Sequence, residues 1–377
     1  MFSAAQRSLI SLIATSGPVS RTDLAAALGL SKAALTTLAR ALLDEGLIRE
    51  ERHSNAVSRQ GRPPVMLAMN PDYGYFAGVS IALEEPVIVL VDLKGEAVAR
   101  MAIAPSGDPD TVAARIADAI PEIAGKARID ATRILGIGVA ISGLVDPHQQ
   151  TCLRSALLDW QNVPLAALIS EKSGLPAYLD NDANTVATWE RLFGRARGLD
   201  DFVVLTMGDG IGCASIIDGR LHRGHHGGAG EVAHTTVEID GRPCKCGKRG
   251  CLDTVASREA VLFAAREAGL DIAHVAEIEQ RAARNDSLAL QVIHRAGTAL
   301  GMVIMQIVHI NDPAMVLVLD PVGAIGSLTR AAIRQTLTTT VLPDMAEGLD
   351  LRFADAPEDY WSKSAASVAA HKFFVPA

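Results

Sequence analysis

Residues 230–256, GEVAHTTVEIDGRPCKCGKRGCLDTVA, place Cys244, Cys246 and Cys251 in a C-x-C-x4-C cluster, with His234 ten positions before the first cysteine. One imidazole and three thiolates make a Cys3His donor set. Such a closed set leaves no position for water and is the kind that structural zinc takes. The segment is rich in glycine (Gly241, Gly247, Gly250) and poor in apolar anchors, so a metal would hold it where packing cannot. Three of the chain's five cysteines fall within eight positions, which argues against a chance grouping of reduced thiols. One structural zinc per chain is therefore expected, on His234, Cys244, Cys246 and Cys251.

The rest of the chain is a large cytoplasmic-type sequence. Its 377 residues suffice for two or three domains, and 49% hydrophobic content is enough to build sizeable cores. No apolar run reaches the roughly 20 residues that span a bilayer. Residues 8–14 are mostly apolar but sit in an amphipathic helix pattern with no cleavage site after it, so neither a signal peptide nor a membrane partner is expected. A thiolate metal site suits a reducing compartment.

The net charge of −8 is unevenly spread. Residues 1–63 hold eight Lys/Arg and five acids, a net +3, and the remainder carries −11. An acidic body repels nucleic acid, whereas a basic head can touch it. Residues 1–70 read as a DNA-binding head. A helix over 4–15 ends at Gly17-Pro18. Ser20 caps a second helix, with Asp23 as a capping-box acid, and Ser31 caps a third, KAALTTLARALLDEG. The third helix turns Ala34, Leu35, Leu38 and Leu42 inward and shows Lys32, Ala33, Thr36, Thr37 and Arg40 on its other face. Two short strands around a polar tip complete a winged helix-turn-helix. Its third helix would lie in the major groove of operator DNA, with Lys32, Thr36, Thr37 and Arg40 toward bases and phosphates. Gly61-Arg62-Pro63-Pro64 is stiff and extended. Arg62 either enters a minor groove or belongs to a rigid linker.

Residues 71–377 read as two α/β halves, each opening with strand hairpins and continuing as strand–helix units. The first half spans about 71–185, with a C-terminal helix at about 360–377 returning to it. The second spans about 186–359 and contains the cysteine loop.

The winged head, GIGVAISGLVD (136–146), LDNDANTVATWE (179–190), MGDGIG (207–212) and the cysteine loop together resemble the ROK family of repressors, open reading frames and kinases. The resemblance covers essentially the whole chain. It implies an α/β fold in which the head is followed by a two-lobed, actin-like, ribonuclease-H-like body with a sugar between the lobes. Family repressors carry such a head; family kinases begin directly with the first lobe. The implied ligand contacts are Ser142 and Gly143, Asn181 and Asp182, Glu231, His234 and Asp253. Ser142-Gly143 stands where Pro-Gly is usual, and Asp253 where glutamate is usual. Asp182 is the equivalent of the kinase base. His234 is in a position to serve the metal through one ring nitrogen and the ligand through the other.

The kinase pattern itself is broken. A first phosphate loop of the form Asp-x-Gly-Gly-Thr reads Ser80, Ile81, Ala82, Leu83, Glu84, without the close backbone approach that glycine permits. The second, usually Gly-Thr-Gly, reads Gly208-Asp209-Gly210. A carboxylate about 4 Å from a phosphate charge costs roughly 4 kcal/mol at an effective dielectric of ~20. The nucleoside loop reads Val318, Leu319, Asp320, Pro321, with Asp-Pro where a glycine pair is usual. The expectation is thus a sugar-responsive transcriptional regulator, a repressor of carbohydrate genes, with no catalytic residues and no ATP. It would act as a homodimer or homotetramer, because paired heads read paired half-sites. The alternatives are an ATP-dependent sugar kinase with an added DNA-binding domain, and a regulator whose body docks a protein partner instead of a sugar.

Overall fold

The computed structural model describes residues 2–52, 65–81, 85–321, 323–357 and 359–375. The chain divides into two compact units, Met1–Gly198 with Asp359–Ala377, and Leu199–Glu358.

The first unit opens with the head. Helix α1 (Ala4–Ser16) is capped by Ser3, whose hydroxyl accepts from the Gln6 N–H while the Gln6 side chain answers to the Ser3 N–H. Strand β1 (Val19–Ser20) leads into α2 (Arg21–Ala27), capped by Ser20, and then α3 (Lys32–Asp44), capped by Ser31. Each cap satisfies a helix N–H that has no partner inside the helix. Strands β2 (Ile48–Arg52) and β3 (Val65–Met69) pair antiparallel, and β1 adds to the other side of β3. In α3 the buried residues are Leu35, Ala39 and Leu42, with Leu38 half-buried. Ala34 is exposed, so the inward stripe expected from the sequence is displaced by one position at its start. Ala39, four residues after Leu35, takes the inner face.

The body of this unit is a five-stranded sheet in the order β11-β7-β4-β5-β6. It comprises β4 (Tyr75–Ser80), β5 (Val87–Asp92), β6 (Ala97–Ala102), β7 (Ile134–Ile141) and β11 (Ala177–Asn181). The first three form an antiparallel meander, and β7 and β11 join in parallel. The β5–β6 turn is the expected Asp92-Leu93-Lys94-Gly95, closed by a bond from the Gly95 N–H to the Asp92 carbonyl. A small sheet of β8 (Leu144–Val145), β9 (Cys152–Ser155) and β10 (Trp160–Val163) was not foreseen. Helices α4 (Pro109–Ala127) and α5 (Leu165–Ser173) pack into one core cluster with β4, β5, β7 and β11. The C-terminal helix Tyr360–Phe374 packs against β4 and β7 and against α6 (Asp182–Leu192). Its run of small residues fits two glycines in those strands. A Cβ on Gly78 would lie 2.1 Å from the Ser362 carbonyl oxygen, and one on Gly138 1.9 Å from that of Ala365. Helix α6 lies wholly inside this unit, so the division falls after Gly198 rather than near 185.

The second unit repeats the plan with the order β14-β13-β12-β15-β16. Its strands are β12 (Phe202–Met207), β13 (Ile211–Ile217), β14 (Arg220–Leu221), β15 (Met315–Leu319) and β16 (Asp350–Ala354). Its helices are α7 (Asp253–Ala256), α8 (Arg258–Glu267), α9 (Val275–Ala283), α10 (Ser287–Asn311), α11 (Ser327–Thr340) and α12 (Pro343–Gly348). Among the described residues α10 is the one helix long and apolar enough to cross a membrane. Its Ile293, Ala296, Leu300 and Ile304 are buried in the core of the unit. Gly297 and Gly301 let α11 approach it closely. A Cβ on either would stand 2.7 Å from Ala332 or Thr336.

Candidate metal centre, ligand residues and DNA face

The cysteine loop folds into a knuckle in the second unit. The Cys244 N–H bonds the Lys248 carbonyl and the Gly247 N–H bonds that of Cys244, which turns the chain between the first two cysteines and the third. The N–H groups of Val237 and Glu238 both donate to the Gly250 carbonyl. These turns bring His234, Cys244, Cys246 and Cys251 together, with all four donor atoms within 4.8 Å of one another. Cys244 Sγ is 3.6 Å from His234 Nδ1, and Cys246 Sγ is 3.6 Å from Cys251 Sγ. Such a set can hold a metal ion. The other imidazole nitrogen, Nε2, lies 3.8 Å from a Glu231 carboxylate oxygen. The Lys248 ammonium donates to the His234 carbonyl.

Glu231 is exposed at the start of the short 3-10 turn that ends in His234. Gly230, just before it, packs on β13, where a Cβ would come 2.1 Å from the Cys213 carbonyl oxygen. Asp253 is buried in α7, and its carboxylate accepts from the Ile211 N–H at 3.3 Å. Burial pushes its pKa up, against the opposing pull of Lys245 and His234. Asp253 therefore ties the cysteine loop to the loop before β13.

In the first unit Asn181 and Asp182 sit at the junction of β11 and α6, both half-buried. The Asn181 carbonyl oxygen caps the helix by accepting from the Ala183 N–H at 2.9 Å, and its amide donates to the Gly143 carbonyl at 3.1 Å. Asp182 also accepts from the Ala183 N–H, which places a carboxylate at the positive end of the helix. Gly143 passes so close to β9 that a Cβ would lie 2.4 Å from the Arg154 carbonyl oxygen. The Ser142 carbonyl accepts from the Ser155 hydroxyl at 2.6 Å. Thus Ser142, Gly143, Asn181 and Asp182 are brought together in one unit, while Glu231, His234 and Asp253 are grouped in the other.

Three residues that sequence reasoning missed support this junction. Buried Asp180 accepts from the Gln149 and Asn184 side-chain amides and from the Asn181 N–H. Its place next to Asn181 was a signal; the part of Gln149, 31 residues away, carried none.

Three carboxylates of the second unit, those of Asp209, Asp320 and Glu279, are held by partners within that unit. The Arg258 guanidinium holds the Asp209 carboxylate through Nε and Nη2, and the Arg258 N–H donates to the Gly208 carbonyl. The buried Asp320 carboxylate accepts from the N–H groups of Ala324 and Ile325, at 2.7 Å each. The Glu279 carboxylate accepts from the Leu328 and Thr329 N–H groups and from the Thr329 hydroxyl, capping α11. Ala82, Leu83 and Glu84 of the first phosphate loop lie outside the described residues.

On α3, Lys32, Ala33, Thr36, Thr37 and Arg40 form one exposed face. The hydroxyls of Thr36 and Thr37 bond back to the carbonyls of Lys32 and Ala33. Arg62 and the tip of the wing also lie outside the described residues.

The ROK family model matches residues 76–359. The chain belongs to the ROK family. The MarR family model matches residues 2–55, the head. The ROK chain is 31% identical to the xylose repressor of Caldicellulosiruptor bescii over 336 residues, covering 85% of this chain and 83% of that protein. A solved ROK family transcriptional regulator, described as a homologue of Escherichia coli Mlc, superposes with a TM-score of 0.81 at 29% identity. That match covers 98% of this chain and 96% of the other, head included. A ROK glucokinase from Streptomyces griseus, solved with glucose and AMPPNP, matches with a TM-score of 0.64 at 25% identity. It covers 78% of this chain and 99% of the glucokinase.

Proposed function

We propose that this ROK protein is a sugar-responsive, DNA-binding transcriptional repressor of carbohydrate genes, without kinase activity. The observation that carries the reading is the whole-chain likeness to a ROK regulator, set against a likeness to a ROK glucokinase that covers 78% of the chain. The exposed cationic and hydroxyl face of α3 suits DNA: Lys32 and Arg40 take phosphates, and Thr36 and Thr37 take base edges. Arg62 either adds a minor-groove contact or belongs to a rigid linker.

The side chains proposed to meet the sugar hydroxyls are Asn181 and Asp182, beside Ser142-Gly143, and Glu231 and the His234 Nε2, with Asp253 bracing their loop. Carboxylates, amides and an imidazole are the groups that orient a polyhydroxyl ligand. Xylose and glucose are the first sugars to test, given the names of the relatives. Asp182 accepts a hydroxyl proton's hydrogen bond and transfers nothing.

ATP is not a ligand in this reading. Phosphate binding relies on backbone N–H groups at loops and helix starts. Here Asp320 and Glu279 already accept from such groups, and Asp209 stands where Gly-Thr-Gly is usual, its carboxylate held by Arg258. A nucleotide would have to displace these carboxylates and leave them facing its own negative charge.

The metal is zinc, one ion per chain. A tetrahedral ion with Zn–S near 2.3 Å and Zn–N near 2.05 Å places S···S edges at about 3.8 Å and S···N edges at about 3.6 Å. The 3.6 Å spacings of the two donor pairs fit that tetrahedron. His234 would hold the ion through Nδ1, which leaves Nε2 facing Glu231. The protein works as a homodimer or homotetramer in the cytoplasm. A gel-shift titration with and without a sugar panel, beside a coupled MgATP phosphorylation assay, tests the whole reading. Sugar-dependent DNA binding without turnover supports it; turnover without DNA binding contradicts it.

A further inference from the structure

Helix α6 carries the ligand pair at one end and a contact with the head at the other. Asn181 and Asp182 stand at its start. Eleven residues span roughly 16 Å of helix at 1.5 Å per residue. At its last turn, buried Glu190 accepts from the Arg195 N–H at 2.5 Å, from the Arg195 guanidinium at 2.6 Å, and from the Tyr360 hydroxyl of the C-terminal helix. Gly194 makes this turn possible, since a Cβ there would meet a Glu190 carboxylate oxygen at 2.1 Å. The Ala196 N–H bonds the Glu190 carbonyl. Residues 193–198 are thereby locked to the end of α6.

That locked turn reaches the head. Arg197 Nη2 donates to the Ala14 carbonyl at 3.0 Å, and the Gly198 N–H donates to the Thr15 carbonyl at 3.2 Å. Both acceptors belong to the last turn of α1, which has no basic residue of its own to meet its negative end. Gly17, beyond that turn, has φ +86, and a Cβ on it would stand 3.3 Å from Arg197 Cζ. Gly198 is also the last residue of the first unit before the chain crosses into the second. One six-residue turn therefore joins three things: the helix bearing the ligand pair, the crossover between units, and the head.

We propose that the Phe193–Gly198 turn, through Arg197 and Gly198, is the element that transmits sugar occupancy to the DNA-binding head. The inference rests on the sugar-responsive reading above. Sugar held by Asp182 at the start of α6 loads this turn through the helix. The clasp on Ala14 and Thr15 then moves α1, on which α3 and β3 pack. Arg197 is a positioning residue; it touches neither ligand nor DNA.

The test uses the full chain and a duplex selected from random sequence by the wild-type protein. Fluorescence anisotropy gives the DNA Kd with and without D-xylose, D-glucose and N-acetylglucosamine, and thermal unfolding gives sugar binding. In wild type, one sugar changes the Kd at least about fivefold, the lower end of ordinary allosteric coupling. Arg197→Met keeps the apolar stem and loses the guanidinium. It should keep the sugar-induced rise in Tm while its Kd ratio falls below about twofold, and Arg197→Lys should restore part of the ratio. An Arg197→Met ratio equal to wild type overturns the proposal, and so does loss of the sugar-induced Tm rise in that variant. If Arg197→Met does not fold, Arg197→Lys decides: a reduced ratio supports the clasp and an unchanged one overturns it. A wild-type Kd that no sugar alters overturns the sugar-responsive reading itself, and this inference with it.

Discussion

Gly250→Ala should break the metal loop without touching a donor atom. Gly250 has φ +66, and a Cβ there would lie 1.6 Å from the Glu238 carbonyl oxygen and 2.7 Å from its carbon. A methyl carbon needs about 3.2–3.5 Å from an oxygen, so the backbone must part by roughly 1.5 Å. Two hydrogen bonds cross that contact, from the Val237 and Glu238 N–H groups to the Gly250 carbonyl, and a third beside it holds the Gly250 N–H to the Arg242 carbonyl. Losing most of them costs about 1 kcal/mol each. The left-handed backbone adds about 1–2 kcal/mol for a residue with a Cβ. The total is about 3–5 kcal/mol. Cys251 is the next residue, and metal sites tolerate displacements of only about 0.2 Å in their bond lengths. The variant should therefore lose most of its zinc under a chelator that leaves wild type loaded. In a unit of this size each kcal/mol moves Tm by about 2–4 °C, so Tm should fall by at least about 6 °C. Elemental analysis after dialysis and a calorimetric scan read both. Full zinc retention with Tm within 2 °C of wild type would refute the reasoning.

Three further outcomes follow from the same geometry. Lys32→Ala and Arg40→Ala should each weaken DNA binding on all sequences alike and lower the salt slope by about 1, whereas Thr36→Ala should alter sequence preference; an unchanged salt slope in both cationic variants contradicts the α3 assignment. Asp182→Ala should remove most of the sugar-induced rise in Tm while leaving the fold intact by circular dichroism; a rise equal to wild type removes Asp182 from the ligand set. Cysteine titration with a disulfide reagent at pH 8 should proceed in stages. Burial pushes the Cys152 thiol up to about 11 and the Cys213 thiol up to about 12, so both stay protonated and shielded until the chain unfolds. Chelation should open the cysteine loop to the reagent, with the exposed Cys246 reacting first, and denaturant should release Cys152 and Cys213; reaction of all five in the native, metal-loaded protein would contradict the site.

What the sequence made legible was local. The cysteine loop declares itself by donor type and spacing, the helix caps by Ser20 and Ser31, and the strands by their apolar runs. Asp92-Leu93-Lys94-Gly95 forms the turn its residues favour. What stayed hidden depends on partners far apart in the chain. Arg258 reaches Asp209 across 49 residues, and Glu279 caps α11 across 49 and 50. Nothing in the composition of either segment announces the partner. Ala34 illustrates a different limit: a small residue fits either face of a helix, and the packing of α1, α2 and β2 against α3 decides that Ala39 goes in and Ala34 out. The extent of the first unit beyond 185 was hidden in the same way, since the second half of α6 carries Glu190, whose buried carboxylate accepts from Tyr360 near the far end of the chain. Asn181 and Asp182 were recognisable as a pair, yet the hold of Asn181 on Gly143, 38 residues away, is a matter of tertiary register.

The central claim is that sugar occupancy sets the affinity of this chain for DNA. Its most direct test is the Kd of the wild-type protein for a selected duplex, measured by fluorescence anisotropy at fixed salt, with and without saturating D-xylose, D-glucose or N-acetylglucosamine. At least one sugar should change the Kd by about fivefold or more. A Kd that stays constant under all of them, while the protein still binds the duplex, would contradict the account.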